Sequence, residues 1–162
     1  AVTGVQTCAL PIFFNRSHYE DIIAVRVKKI FPDPVWKRRY KHVLDFESML
    51  AEEGTVIIKL FLNISKEEQK KRLESRLQDP DKLWKFCMDD LDDRNRWDEF
   101  QTAYQDLIEK TSTPEAPWYI IPADRKWYRN LVVARLMVEK LRHLQLSLPT
   151  PNFDPASIII PD

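Results

Sequence analysis

Apolar and polar positions along this chain fall into blocks that switch between two periods. The near-continuous apolar run Thr55-Val56-Ile57-Ile58-Lys59-Leu60-Phe61-Leu62-Asn63-Ile64 predicts a strand over 55–64 covered on both faces, as in a parallel sheet. Trp118-Tyr119-Ile120-Ile121, closed by Pro122, predicts a second buried strand, and Ile12-Phe13-Phe14 reads as the end of a third. Each run is followed by polar residues and then a helical pattern. That alternation is the α/β arrangement, and right-handed crossovers would set 55–62 and 118–121 parallel and side by side.

The helices announce themselves mostly by their ends. Ser17 suits an N-cap ahead of Glu20 and Asp21, for a helix running to about Lys29. After Pro32 and Pro34, residues 35–53 carry Trp36, Tyr40, Val43, Leu44, Phe46, Leu50 and Ala51 near helical spacing, and Gly54 stops that helix at the C′ position. Ser65 and Glu68 form a capping-box pattern for a basic helix ending at Asp79-Pro80-Asp81. A short aromatic-basic turn, Lys82–Phe86, precedes a long acidic helix over 89–111, broken by Thr111-Ser112-Thr113-Pro114. Asp124 reads as the cap of a last helix over 125–144, and residues 150–162 read as an extended tail.

Composition narrows the class without naming a function. With 162 residues, 44% apolar and 31% charged, the chain has room for one core and the make-up of a globular protein. Net charge is zero, which argues neither for nor against a polyanionic partner. Charge is uneven, basic from Arg16 to His42 and acidic from Asp89 to Glu109, in runs that read as solvated faces. Cys8 and Cys87 lie far apart without ligand spacing, which fits a reducing cytoplasm. His18, His42 and His143 show no ligand spacing either, and no apolar run is long enough for a membrane helix. Trp84, Trp97, Trp118 and Trp127 read as core or lid anchors rather than base-stacking platforms, so no nucleic acid is expected as partner. Residues 1–12 carry no charge and look like an in-frame translation of a sequencing-library adapter, so the native sequence is expected from about Phe13.

Two clusters invite chemistry. Asn15, Arg16 and Ser17 sit where a strand gives way to a helix, a place where ligands gather in α/β proteins, and all three suit phosphate or metal-bound water. The plainer alternative is a polar turn in which Arg16 pairs with Glu20 across one helical turn. Arg72 and Arg76, four residues apart, share a helical face, or else belong to a solvated helix paired with Glu68 and Glu74. Asp90 and Arg94 are also four apart and read as a pair. The chain has two glycines, Gly4 and Gly54, and no G-x-x-x-x-G-K-[ST] phosphate loop.

The segment Asn15-Arg16-Ser17-His18-Tyr19-Glu20-Asp21 resembles the second nucleotide-site motif of the polyphosphate kinase 2 family, a branch of the P-loop kinases. The resemblance continues through Glu53-Gly54-Thr55-Val56, Ile64-Ser65-Lys66-Glu67-Glu68-Gln69, Trp84-Lys85-Phe86, Ala116-Pro117-Trp118-Tyr119 and Ile121-Pro122-Ala123-Asp124-Arg125-Lys126-Trp127-Tyr128, to about Pro149. It implies a three-layer α/β sandwich with a parallel sheet, helices on both faces and a helical lid over about 66–88. It also implies that residues 13–149 are part of a domain whose Gly-rich loop and central strand lie upstream, so that the chain is an incomplete and inactive fragment. The activity implied is phosphoryl transfer between inorganic polyphosphate and AMP or ADP, in either direction and with ATP among the nucleotides, with Mg2+ bridging the phosphates. Carried over by motif, Asn15 and Arg16 are catalytic, Arg16, Ser17 and Glu20 meet the nucleotide, and Asn15 meets the metal through water. Arg72, Arg76, Lys82 and Lys85 become lid cations for polyphosphate, and the full-length enzyme a homo-oligomer. Asn15 replaces the aspartate of other branches and resembles the branch that accepts AMP as well as ADP. A nucleoside-monophosphate kinase using ATP, or a non-catalytic fragment, are the alternatives.

Overall fold

A computed structural model of the chain describes residues 12–147, 152–154 and 158. The adapter-like segment up to residue 11 and most of the tail lie outside the described residues. The elements run α1 (Glu20–Val27), α2 (Asp33–Glu52), β1 (Lys59–Asn63), α3 (Lys66–Gln78), a 3-10 turn (Leu83–Lys85), α4 (Asp89–Asn95), α5 (Trp97–Thr111), β2 (Trp118–Pro122) and α6 (Lys126–His143).

β1 and β2 pair in parallel, with Lys59 opposite Trp118 and Asn63 opposite Pro122. Side chains alternate across a strand. Lys59 and Phe61 therefore share one face, where Phe61 lies 4.8 Å from the Tyr104 ring of α5. Tyr119 faces the other way, under Lys140 of α6. The sheet thus has α1, α2 and α5 on one side and α6 on the other. The main core lies between the three helices, built on Ile22, Ile23, Val25, Val27, Trp36, Val43, Ala103 and Leu107. α1 is buried between α2 and α5, which is why its apolar residues are too dense to show a period.

Both ends read from glycine and serine hold. Gly54 has φ 84°, and the N–H groups of Gly54 and Thr55 bond to the carbonyls of Ala51 and Leu50, a Schellman closure of α2. Ser65 accepts the Glu68 N–H at 3.1 Å and caps α3. The reciprocal half of the capping box is missing, because the Glu68 carboxylate takes Arg72 instead, and the Ser65 N–H donates to Asp124 Oδ1 at 2.8 Å.

Other expectations need correction. Ile12-Phe13-Phe14 form no strand and are largely exposed, since among the described residues β1 has only β2 beside it and nothing pairs with this segment. α1 starts after Tyr19, not after Ser17, whose hydroxyl instead accepts the Tyr19 N–H at 3.4 Å in a local turn. β1 covers five of the ten expected positions, the five that meet β2. α2 begins two residues early because Pro34 fits a helix's first turn. The acidic helix breaks at Arg96, whose guanidinium donates to the Val27 carbonyl at 3.0 Å and ties the break to the end of α1. Asp124 does not cap α6, its carboxylate being engaged by Ser65. Arg94 does not pair with Asp90; it donates to the Lys66 carbonyl and Gln69, while Asp90 faces Arg76. Among the described residues no helix is long and apolar enough to cross a membrane.

Candidate functional site

The carboxyl ends of β1 and β2 open into a cleft of about 660 Å3. Its floor is the stretch after each strand, Asn63-Ile64-Ser65 and Pro122-Ala123-Asp124, and Trp97 and Gln101 of α5 form a wall. The Ala123 N–H donates to the Asn63 carbonyl at 2.8 Å, carrying the ladder one step beyond the strands. α3 springs from this point. Arg72 holds its base down: Nε donates to Glu68 at 2.8 Å, and one terminal nitrogen donates to the carbonyls of Ala123 at 2.7 Å and Asp124 at 3.1 Å.

The other cations of the expected lid are less committed. Arg76 lies 3.5 Å from Asp90, Lys82 pairs with Asp79 in the adjoining turn, and Lys85 sits over the Trp84 ring. Asp79 is held below the usual carboxylate range mainly by its hydrogen bond from Lys82. All three reach solvent, so the structure places Arg76, Lys82 and Lys85 on one exposed basic segment and Arg72 at its root.

Asn15, Arg16, Ser17 and Glu20 lie at the entrance to α1. Arg16 has φ 70°, in the left-handed region, and its Nε lies 3.4 Å from Glu20, so the one-turn pairing is present. That pair is exposed. Burial pushes the Tyr104 hydroxyl above its ordinary value, the Glu20 charge adds to the shift and the Arg16 charge opposes it. α1 packs against α5, so the entrance to α1 lies on the α5 side of the sheet. No contact of these side chains with the lid cations is present among the described residues.

Beneath this segment is a buried polar cluster that sequence reading missed. Lys59 Nζ donates to Glu47 Oε2 at 2.7 Å, to the Thr111 carbonyl at 2.6 Å and to the Tyr19 hydroxyl at 3.1 Å. The Tyr19 hydroxyl donates to Glu47 Oε1 at 2.5 Å. The rings of Tyr19 and Trp118 flank the ammonium. Burial pulls the Lys59 ammonium below its ordinary value and Glu47 pulls it back up. Three acceptors around one nitrogen match the three protons of an ammonium, so the charged form is the one this geometry holds. Burial and then Glu47 push the Tyr19 hydroxyl far above the usual tyrosine value. One signal was available: Lys59 is the lone cation inside the longest apolar run, and a buried lysine requires a buried partner.

A model of the polyphosphate kinase 2 (PPK2) family matches residues 5–148, beginning inside the adapter-like segment. The chain is 52% identical over 149 residues to an AMP/ADP-polyphosphate phosphotransferase of Meiothermus ruber, covering 92% of this chain and 56% of that protein. It is 37% identical to an ADP-polyphosphate phosphotransferase of Rhodopseudomonas palustris, covering 84% and 51%. A crystal structure of polyphosphate kinase 2 from Arthrobacter aurescens superposes with a TM-score of 0.84 at 48% identity, over 89% of this chain and 51% of that one. The chain therefore spans about half the length of the relatives it matches. With the family match running through both the α1 entrance and the basic segment that follows the cleft, the chain belongs to the polyphosphate kinase 2 family.

Proposed function

We propose that this chain contributes the acceptor-nucleotide side and the lid of an enzyme that moves phosphoryl groups between inorganic polyphosphate and AMP or ADP. The observation that carries the reading is the 52% identity with a protein named AMP/ADP-polyphosphate phosphotransferase across nearly the whole of this chain. Phosphoryl transfer depends on alignment and charge neutralisation more than on covalent work by the protein. Arg16 offers an exposed guanidinium for a nucleotide phosphate, with Ser17 and Glu20 beside it. Asn15 suits a water on a magnesium ion, which keeps several waters and binds largely through substrate phosphates. That mode suits a segment with a neutral amide at its head, and among the described residues no acidic or histidine cluster replaces it. Magnesium, when bound, neutralises charge on the phosphates.

On the polyphosphate side, Arg76, Lys82 and Lys85 supply cations on the exposed stretch from the end of α3 through the 3-10 turn, outside the lining of the cleft. Arg72 spends much of its guanidinium on the carbonyls of Ala123 and Asp124 in the floor of the cleft, so we assign it mainly to holding the lid's root. A cytoplasmic setting and self-association of the complete enzyme belong to the same reading. Calorimetric titration of the 162-residue protein tests it. Arg16→Ala should weaken ADP binding about ten- to hundred-fold, the equivalent of one charge-assisted hydrogen bond, and leave a short polyphosphate chain bound. Arg76→Ala should do the reverse. Loss of neither ligand in either variant, or equal loss of both, would reject the division.

A further inference from the structure

From residue 12 to residue 18 every described side chain is exposed, and Tyr19 is the first buried one. The acceptor segment meets the body at its last two positions before α1: His18 lies edge-on to Phe46 and 3.9 Å from Glu47, and it stacks at 4.6 Å on the ring of its buried anchor, Tyr19. The turns behind it hang on the same residue: the Tyr19 carbonyl accepts the N–H groups of Ile22 and Ile23, and Ser17 and His18 carbonyls accept those of Glu20 and Asp21. The Tyr19 hydroxyl lies within hydrogen-bond reach of two groups, Glu47 from α2 and Lys59 from β1. Lys59 also bonds to the last residue of α5 through the Thr111 carbonyl. Four elements thus meet at one tyrosine.

We propose that Lys59 and Glu47 are positioning residues for the acceptor-nucleotide segment, acting through the Tyr19 hydroxyl to fix where Arg16 and Glu20 stand. The inference rests on the acceptor reading of residues 15–20 for its functional consequence, and on the cluster's geometry for its structural part. A purely stabilising role is better filled by packing: apolar residues in place of a buried ion pair are often as stable or more so. What an apolar pair lacks is direction. Hydrogen bonds to the hydroxyl fix the ring's tip, and with it the phase at which α1 leaves the segment. The pair is only 5% exposed on each side, so water does not compete for these bonds.

Three variants of the 162-residue protein separate positioning from stability: Tyr19→Phe, Lys59→Met, and the double change Lys59→Met with Glu47→Leu. The double variant keeps volume and removes both charges, so it stays folded even where Lys59→Met alone does not. Amide hydrogen exchange at Glu20, Asp21 and Ile22 and ADP affinity by calorimetry are read in each, against thermal stability. The expected result is exchange at these amides faster by about tenfold or more in Tyr19→Phe and in the double variant, with thermal stability of the double variant near wild type. ADP affinity falls by a similar factor, while binding of a short polyphosphate chain is unchanged. Wild-type exchange at all three amides in the double variant and in Tyr19→Phe would overturn the inference. If the wild-type protein binds no ADP, or Arg16→Ala does not change that binding, the acceptor reading fails, and the exchange data still decide the positioning role.

Discussion

At the scale of single residues, the most consequential one is a lysine in a strand. Lys59 and Glu47 lie 2.7 Å apart with both side chains 5% exposed. Removing one partner strands the other's charge in the interior, which costs about 3–5 kcal/mol, whereas removing both leaves little to desolvate. Lys59→Met should therefore lose that much in urea denaturation, and the double change with Glu47→Leu should recover most of it. A double variant as unstable as the single would show that the loss comes from packing. Tyr19 adds a pH signature. Its folded-state value lies above the ordinary value near 10, so its contribution is complete below pH 10 and falls as pH rises beyond it, where the unfolded chain ionises first. Lys59, shifted down by burial, gives a slope of the opposite sign below its ordinary value near 10.5. The clean measurement is therefore the difference between wild type and Tyr19→Phe in stability from pH 8 to 11. A difference that shrinks as pH rises past 10 is expected, and a flat one would remove Tyr19's burial from the account.

At the scale of elements, α3 shows how one helix carries two kinds of arginine. Arg72 has its side chain 24% exposed and bonds to Glu68 and to two carbonyls of the β2–α6 turn. Arg76, one turn on, is 38% exposed and among the described residues lies 3.5 Å from Asp90. Arg72→Ala should cost about 1.5–3 kcal/mol in thermal or chemical denaturation, because it strips charged donors from the partly buried Ala123 carbonyl and the exposed Asp124 carbonyl. Arg76→Ala should stay within roughly 0.5 kcal/mol of wild type. Equal effects would mean that α3 is not strapped to the turn. Their sequence spacing is identical to that of any facing pair, so nothing local separates them. What distinguishes Arg72 is the approach of Ala123 and Asp124, some fifty positions later. The same holds elsewhere. Gly54, Ser65 and the two apolar runs were legible because their signals are local. The break at Arg96 depends on the Val27 carbonyl, and the role of Asp124 depends on the Ser65 N–H, so neither could be read from neighbours in the chain. The α1 entrance motif was legible as a pattern, but the Tyr19 anchor beneath it joins positions 19, 47, 59 and 111.

At the scale of the whole molecule, the sheet has two strands among the described residues, and no residue of α6 is fully buried against it. Leu62 and Ile120 stay about half exposed, although parallel sheets are normally covered on both faces. The cleft at the strand ends nevertheless exists, and the segment proposed to meet the acceptor nucleotide stands at the head of α1. Binding and turnover should therefore come apart. Transfer of a phosphoryl group requires backbone N–H groups and a lysine wrapped around the moving phosphate. No G-x-x-x-x-G-K-[ST] segment is present in these 162 residues to supply them. Arg16, Arg76, Lys82 and Lys85 can attract phosphates, but side-chain cations on exposed segments do not hold donor and acceptor in line. We therefore expect the 162-residue protein to bind ADP and polyphosphate and yet to form no ATP from them. A luciferase assay with polyphosphate, ADP and magnesium checks this against a protein-free control. Sustained ATP formation by the purified protein, lost in Arg16→Ala, would mean that this chain cradles the transferred phosphate with groups other than a Gly-rich loop.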